Sequence, residues 1–399
     1  MASEQQYIEL YEQARQIIFD HAPEAMNAVR DEAFEDFRRQ GFPSKKVERY
    51  KYTDIQKLFA PDYGVNLNRL EIPVDPYAAF RCDVPNLSTS LYFVVNDMFY
   101  HDDKPKGHLP EGVIVDSLRN YPHFIEKYYA KLAMTSDDAI TALSTMLAQD
   151  GMLVYVPKNV KVDRAIQVIN ILKATPQNAQ RQVPDLMVNR RVLIILEEGA
   201  EIKMLFCDHA ADDRNFLATQ VIEAYVGENA SLDLYCMEET HHKNVRVSNV
   251  YIDQQANSRV NHNVITLHNG VTRNKLDLTF SGEGAECQCY GCVIADKQQH
   301  VDNNTLITHH VPHCTSNELY KYVLDEKATG AFAGRVLVEH GAQKTSSQMT
   351  NQNLTATKEA RMYTQPMLEI YADDVKCAHG STVGQLNDAA LFYMRQRGI

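Results

Sequence analysis

Glu197 to Leu205 reads EEGAEIKML, and the pattern of this stretch decides the fold of the chain from Gly151 to about His379. A polar or acidic corner ends in an alanine, and alternating apolar and polar residues follow it. The arrangement recurs along the chain, and the corner alanines are Ala200, Ala230, Ala256, Ala285, Ala328 and Ala360. The intervals between them are 30, 26, 29, 43 and 32 residues.

A period in the high twenties with one lengthened turn predicts a stack of β coils, each burying its inner face only against its neighbours. Ile202 and Met204 alternate with Glu201 and Lys203, which places one set inside and the other in water. The prediction is a parallel β-helix. A β-sandwich is the alternative, but it favours strands about 8 to 12 residues apart and short Asn-Gly turns, which occur here only at Asn269-Gly270.

Helical patterns precede the repeats. Apolar residues at spacings of three and four predict two helices within residues 3–41, with a break at His21-Ala22-Pro23, and more helix within residues 118–149. Short apolar runs such as SLYFVVND (Ser90 to Asp97) predict a few strands among them. We therefore expect a mainly helical N-terminal domain at residues 1–150.

A short helix is also expected after the repeats. Asp388 is placed to cap a helix from Ala389 through Arg397. The chain is thus expected to consist of the N-terminal domain, a β-helix core at residues 151–385, and the start of a C-terminal helical segment at residues 386–399.

Composition excludes several classes of function. The 399 residues carry a formal charge of -12, which argues against nucleic-acid binding because that affinity depends on Lys and Arg. No run of 18 or more apolar residues occurs, and the first twenty residues are charged throughout, so neither a membrane span nor a secretory signal is predicted. Eight cysteines are too few for a disulfide scaffold and are expected as thiols in the cytoplasm.

The main candidate site lies in LEIYADDVKCAHG, Leu368 to Gly380. Cys377 and His379 are two residues apart on an extended segment, so their side chains point to the same side and can reach a common atom. Thiolate and imidazole both suit iron and zinc, but two ligands do not close a tetrahedral site, so others must come from elsewhere in the fold or from another chain. The alternative is a buried thiol and a histidine satisfied by backbone groups.

A second cluster, ECQCYGC, contains Cys287, Cys289 and Cys292. No fourth ligand follows at a ferredoxin-like or zinc-ribbon spacing. Alternation within a β strand predicts that Cys287 and Cys289 face the core.

A third cluster, THHVPHC, contains His309, His310, His313 and Cys314. Crowded histidine and cysteine can bind zinc or iron. Because Pro312 marks a corner, the prediction is a surface loop that binds metal only adventitiously.

Catalytic motifs are missing. The sequence has no GxxxxGK[ST], no GxGxxG after a strand, no GxSxG and no HExxH, so an enzyme acting alone is poorly supported. Two rivals from other classes remain open: a carbohydrate-active β-helix enzyme, which needs clustered Asp, Arg or Lys on one outer face, and a metal-storing or sensor protein that uses the Cys and His clusters.

Several spaced strings follow one another toward the end of the chain. In order, they are AQKT (Ala342 to Thr345), TNQNL (Thr350 to Leu354), ARMYTQP (Ala360 to Pro366), KCAHG, STVGQL and LFYMRQRGI (Leu391 to Ile399). Through these strings the chain resembles the SufB/SufD family of iron–sulfur cluster assembly proteins, most closely its SufD branch. The resemblance is densest from about Gly330 and thinner from about Val47. Gly380, where the SufB branch has an acidic residue, favours SufD.

The resemblance implies a right-handed parallel β-helix flanked by helical segments. It implies a non-catalytic scaffold of the cytoplasmic SUF machinery that pairs with a SufB-like paralogue and a SufC-like ABC-type ATPase. Position for position, His379 would lie at the contact with the paralogue and help to build the nascent cluster, with Cys377 a weaker candidate. No cofactor is expected to bind this chain stably; the cluster at the partner interface is transient, and a flavin on the assembled complex stays an open question.

The resemblance also bears on other parts of the chain. Lys51, Tyr52 and Thr53 match a family triplet, for which we expect a solvated loop with half-buried tyrosines. Family members continue past the equivalent of Ile399 into helices where the ATPase docks, so that contact is expected to lie outside residues 1–399. Because an isolated β-helix has an open end, we expect a homodimer through the C-terminal rungs.

Overall fold

The computed structural model describes residues 3–79, 88–101, 109–174, 185–385 and 387–399. Seven α-helices lie in the N-terminal part of these residues, and one follows the last strand. They are α1 (Gln5–Asp20), α2 (Glu24–Asn27), α3 (Arg30–Gln40), α4 (Ile55–Leu58), α5 (Pro76–Ala79), α6 (Pro122–Tyr128), α7 (Ala139–Leu147) and α8 (Asp388–Gln396). No helix among these described segments is long and apolar enough to cross a membrane.

The predicted break between the first helices is confirmed, since α1 ends at Asp20 and Pro23 precedes α2. The second predicted helix is divided into α2 and α3. At the other end, the predicted cap is wrong by one residue. Asn387, not Asp388, caps α8, because its side chain accepts hydrogen bonds from the backbone N–H groups of Ala389 (2.9 Å) and Ala390 (3.1 Å).

The described residues form twenty strands, most of them about ten residues long from the seventh onward. They are β1 (Gly64–Val65), β2 (Ser90–Val95), β3 (Met98–Phe99), β4 (Ile114–Ser117), β5 (Met152–Val156), β6 (Ile166–Leu172), β7 (Asp185–Leu196), β8 (Glu201–Ala210), β9 (Asn215–Val226), β10 (Ser231–Glu239), β11 (Asn244–Gln254), β12 (Arg259–His268), β13 (Val271–Phe280), β14 (Glu286–Ala295), β15 (His300–His309), β16 (Thr315–Leu324), β17 (Thr329–Val338), β18 (Ser346–Thr355), β19 (Arg361–Ile370) and β20 (Lys376–Gln385).

Successive long strands alternate between two sheets. Sheet A has the order β19-β17-β15-β13-β11-β9-β7-β5-β4, with β1 beside β7, and sheet B has the order β20-β18-β16-β14-β12-β10-β8-β6-β2-β3. All pairings from β5 to β20 are parallel, while β3 and β4 pair antiparallel to their neighbours. The predicted parallel β-helix is therefore confirmed, as a β-solenoid of about seven turns.

The corner alanines lie at two different corners. Ala200, Ala230 and Ala285 occupy the corner that leads from sheet A into sheet B, where each backbone carbonyl accepts from the first residue of the strand one turn later. Ala328 and Ala360 occupy the opposite corner. The interval of 43 residues between Ala285 and Ala328 is therefore about one and a half turns rather than one lengthened turn.

The remaining member of the series, Ala256, does not occupy the buried corner position. Ser258 does, because its carbonyl accepts from the N–H of Glu286 (2.9 Å), and its side chain is fully buried. A small residue is needed there because successive corners stack on one another inside the coil.

The core fills the space between the sheets. Apolar inner-face residues of every turn form one continuous cluster that includes Val154, Ile194, Leu234, Leu278 and Val336. The outer face of sheet A is also buried, because α1, α3 and α7 pack on it through a second cluster that includes Met187, Leu217 and Val247. Strands β7, β9 and β11 of sheet A are thus buried on both faces, whereas β10 of sheet B alternates buried and solvent-facing residues.

Buried carboxylates attach the N-terminal helices to sheet A. Asp138 caps α7 and also accepts from Lys275 Nζ (3.1 Å). Burial opposes ionisation of Asp138, but the Lys275 ammonium and several hydrogen bonds outweigh it and hold the pKa of Asp138 below its usual range. Glu223 pairs with Arg191 (2.7 Å) and accepts from four consecutive backbone N–H groups, those of residues 130–133.

Candidate functional site

The last turn of the solenoid leaves one end open. Strands β19 and β20 are the terminal strands of sheet A and sheet B at this end, and within the part of the chain that the structure describes each pairs along one edge only. Unpaired N–H and C=O groups on such an edge are a template for another strand. We call this the open end.

Cys377 and His379 lie on β20 at the open end. Cys377 is in register with Ser347 of β18, and His379 with Met349. Because Ser347 and Met349 are buried on the inner face of sheet B, both candidate residues also belong to the inner face, which no further turn covers here. Cys377 is half-buried and His379 is exposed.

The thiol and the imidazole differ in their surroundings. Burial raises the pKa of Cys377, and a hydrogen bond from the backbone of Ser347 offsets this only in part. A thiol with a raised pKa stays protonated at neutral pH until a base or a metal ion takes its proton. No group of three or more His, Cys, Asp or Glu side chains is placed to hold a metal ion among the described residues. A metal ion bound to Cys377 and His379 would need further ligands from outside the described residues.

Directly beneath His379, a column of inner-face residues runs through sheet B. In register order it contains His379, Met349, Glu318, Cys289 and His262. Neither carboxylate oxygen of Glu318 has a hydrogen-bond partner. Burial raises the pKa of Glu318 to about 7. The nearby Thr305 hydroxyl lowers this pKa by a smaller amount, although it does not form a hydrogen bond with the carboxyl group. Burial, helped by Arg246, lowers the pKa of His262 to about 4.

Sequence reasoning missed this column. Glu318 alternates with Tyr320 and Tyr322 in SNELYKYVL, and the two tyrosines could have marked the inward phase of the strand. A glutamate in that phase is unusual enough to have been noted.

A second column lies beneath Cys377. Ser347 Oγ is 2.9 Å from Ser316 Oγ, which in turn is 3.0 Å from His309 Nε2. His309 is fully buried, and burial lowers its pKa to about 3, so its ring is neutral. The interior under Cys377 is therefore polar but uncharged.

The THHVPHC cluster is divided between the interior and the surface. His310 and His313 are exposed, as predicted, but His309 and Cys314 are fully buried. The prediction of a surface loop is wrong for these two residues because His309 is the last inward-facing residue of β15 and Cys314 occupies the stacked corner after it.

The ECQCYGC cluster matches its prediction. Cys287 and Cys289 are completely buried on the inner face of β14, and Cys292 is exposed on the outer face. The neighbouring Cys287 thiol, together with burial, raises the pKa of Cys289, which makes it an unreactive core residue.

The expectation for the Lys51-Tyr52-Thr53 triplet is confirmed for two residues and wrong for the third. Lys51 is exposed, and half-buried Tyr52 stacks on Tyr363 of β19 with ring centroids 5.1 Å apart. Thr53 is buried instead of solvated, and its hydroxyl donates to Asp302 (2.6 Å). Tyr52 and Thr53 thus attach the N-terminal lobe to the last turns of sheet A.

Comparisons with known proteins show the family to which the chain belongs. The family model described as SufBD protein N-terminal region matches residues 1–168, and the one described as SUF system FeS cluster assembly, SufBD core domain matches residues 177–399. An iron–sulfur cluster assembly SufBD family protein of Synechocystis sp. is 27% identical over 368 residues, which are 90% of this chain and 79% of the relative.

Two relatives carry the name SufD. Iron-sulfur cluster assembly protein SufD of Escherichia coli is 26% identical over 373 residues, covering 90% of this chain and 81% of the relative. The SufD of Bacillus subtilis is 23% identical over 425 aligned positions, covering 100% of this chain and 90% of the relative. The chain therefore belongs to the SufB/SufD family of the SUF system for iron–sulfur cluster assembly. Within that family it is SufD-like.

Proposed function

We propose that this chain is a non-catalytic scaffold subunit that pairs through its open end with a SufB-like paralogue. A SufC-like ABC-type ATPase supplies ATP hydrolysis to the assembly, which works in the cytoplasm. Iron and sulfur meet at the seam between the two solenoids, beside His379 and Cys377. The observation that carries the proposal is the placement of His379 on an inner face that no turn of the described residues covers.

The chemistry at the seam follows from the two side chains. An imidazole can act as a metal ligand or as a base near neutral pH, so His379 can hold iron or accept a proton. The Cys377 thiol, whose pKa burial raises, becomes a ligand once a metal ion or a base removes its proton. The nascent cluster is cargo and leaves the site. The partner chain completes its ligand set, so this chain binds no cofactor stably by itself.

The same geometry has a consequence for the isolated protein. Without a paralogue, two open ends of identical chains can meet about a two-fold axis, so the purified chain forms a homodimer through β19 and β20. A flavin on the assembled complex is not required by any step above.

The test is assembly and cluster formation with the SufB-like and SufC-like proteins from the same genome. Co-expression and pull-down should recover a complex of three components, and this complex should support cluster formation on an apo-acceptor protein. His379→Ala should leave the complex intact but slow cluster formation tenfold or more, and Cys377→Ala should have a smaller effect.

His313→Ala is the matched control, because His313 is an exposed histidine at a corner of the solenoid. It should behave like the parent. The proposed function fails if no complex forms, and the role of His379 fails if the His379→Ala and His313→Ala complexes work equally well.

A further inference from the structure

A chain of buried hydroxyl groups leads from His309 to the strand beneath Cys377. Ser316 Oγ lies 3.0 Å from His309 Nε2 and donates to Ser347 Oγ over 2.9 Å. All three residues are buried, and Ser347 is the register partner of Cys377. The chain of hydroxyl groups therefore ends directly beneath the Cys377 side chain, which packs against the core.

In their column of sheet B, the two serines lie next to the open end. In register order the column contains Ile202, Leu232, Val260, Cys287, Ser316, Ser347 and Cys377. The first four are fully buried side chains of the apolar core, with the thiol counted among them. Burying a hydroxyl group costs stability unless it forms hydrogen bonds, so apolar packing does not explain why two serines follow.

The hydrogen bonds of this chain run in one direction. Because Ser316 gives its one hydroxyl hydrogen to Ser347, it can only accept from His309. The neutral His309 ring therefore carries its hydrogen on Nε2. Ser347 accepts from Ser316, so its own hydroxyl hydrogen remains for a further acceptor.

The Cys377 sulfur is well placed to be that acceptor. Neighbouring strands lie about 4.8 Å apart, so a hydroxyl and a sulfur on paired inner-face residues can approach to hydrogen-bonding distance. The sulfur already accepts a hydrogen bond from the backbone of Ser347. His379 has a different neighbour, because its register partner is Met349, whose side chain has no hydrogen to donate. The hydroxyl chain therefore serves the sulfur and not the imidazole.

We propose that the Ser347 hydroxyl donates to the Cys377 sulfur once that sulfur is a thiolate or an iron ligand, and that Ser316 and His309 hold the hydroxyl in this orientation. Hydrogen bonds in a chain polarise one another, so the last donor is strengthened. Donors to a ligating sulfur tune the metal that it binds, including its reduction potential. Ser316 and His309 are thus positioning residues. Their use at the seam rests on the proposed function and deepens it.

Alkylation of Cys377 by iodoacetamide tests the donor on the full chain alone. Peptide mapping by mass spectrometry separates Cys377 from the other cysteines, and rates extrapolated to dilute protein describe a free open end. Ser347→Ala should slow alkylation by about threefold, because fewer thiolates form without the donor and their higher nucleophilicity offsets this only in part. Ser347→Thr keeps a hydroxyl and should react at the parental rate. Ser248→Ala, which removes a buried serine of β11, is the matched control and should leave the rate unchanged.

A pair of substitutions at His309 tests the orienting part of the chain. His309→Gln keeps an N–H for Ser316 and should react like the parent, whereas His309→Leu and Ser316→Ala should both slow alkylation of Cys377. A parental rate in folded Ser347→Ala overturns the donor, and equal rates in the two His309 variants overturn the orienting role. Thermal melts show whether each variant is folded, and Ser316→Ala decides the orienting role if His309→Leu does not fold.

The complex with the SufB-like and SufC-like proteins tests the use of the donor at the seam. In a redox titration of the nascent cluster, Ser347→Ala should shift the reduction potential to a more negative value, and Ser248→Ala should not. An unchanged potential in Ser347→Ala overturns this use. If no cluster forms on the parent complex, the proposed function fails, whereas the alkylation rates of the chain alone still decide whether the hydrogen bond exists.

Discussion

The two ends of the solenoid are built in different ways. At the N-terminal end the sheets finish in β4 and β3, antiparallel strands of four and two residues, and buried Arg69 lies 3.3 Å from Asp97 and 3.5 Å from Asp150. At the C-terminal end they finish in two ten-residue strands with free edges. Very short edge strands are one way in which proteins prevent unwanted pairing. Only the N-terminal end of the described residues is protected in this way, which supports the proposed pairing at the open end.

The buried carboxyl groups of the two regions also differ, in the number of partners that they have. Where the N-terminal helices cover sheet A, buried charges such as Glu223 and Asp138 have several partners. Toward the open end, the buried carboxyl of Glu318 has none. Buried polar groups without partners lower stability, so the open half of the solenoid should be the half whose stability depends on solution conditions.

The largest effect should come from breaking a buried ion pair at the covered side. Glu223→Ala leaves the Arg191 guanidinium buried without its partner and frees four backbone N–H groups, so the free energy of unfolding should fall by about 3 to 5 kcal/mol. Chemical denaturation measures it. Glu201→Ala removes an exposed glutamate that pairs with Lys161 and should cost less than about 1 kcal/mol. Equal losses of unfolding free energy in Glu223→Ala and Glu201→Ala would contradict the difference expected between a buried and an exposed ion pair.

A pH effect of nearly this size is expected from Glu318. Its pKa in the folded chain is about 7, against 4.5 when exposed, so the unfolded chain loses its proton first as pH rises. Stability contributed by the protonated group is present below about pH 4.5 and is lost as pH rises toward 7. Glu318→Gln should therefore stabilise the protein by about 3 kcal/mol at pH 8 and hardly at all at pH 4.5.

Denaturation across this pH range, with the exposed Glu286→Gln as control, checks the Glu318 prediction. Burial also raises the pKa of Glu238 to about 7. Glu238 therefore makes its own contribution to the dependence of stability on pH, and this contribution should persist in both variants. If the free energy of unfolding of Glu318→Gln changed with pH in the same way as that of the parent, Glu318 would not be buried as described.

The packed interior and the open end should also differ, by a smaller amount, in how much stability a glycine-to-alanine substitution costs. A Cβ added at Gly291 would collide with the ring of Tyr320, so Gly291→Ala should cost about 1 to 3 kcal/mol through overpacking. At Gly380, beside the candidate site, a Cβ meets nothing within 4 Å, and Gly380→Ala should leave the melting temperature unchanged. A large loss at Gly380 would mean that the last turn is covered after all.

The smallest expected change concerns α8. Asn387→Ala removes two cap hydrogen bonds and should cost about 1 kcal/mol, confined to the helix. Amide exchange in α8 should quicken while the melting temperature of the solenoid stays the same. Asn387→Ser keeps a capping oxygen and should restore slow exchange. Cooperative loss of β20 together with α8 would show that the helix supports the open end.

Local patterns explain what could be predicted. Alternation along EEGAEIKML is a property of neighbouring residues, so the sequence by itself determined that strands form, which side chains face inward, and that Cys377 and His379 share a face. The recurring small corner residue determined the solenoid. The two corners could not be told apart, because buried alanines occur at both, and the interval of 43 residues therefore looked like an irregular turn.

The tertiary structure decided the rest. Which inner-face residues stack, such as Glu318 under Met349 and His379, depends on the register between strands about 29 residues apart, which no local pattern contains. Long-range packing also decided that Thr53 is buried against Asp302. Local pattern determines the face of a strand, whereas only the complete stack determines which face is left uncovered, and that uncovered face carries the candidate site.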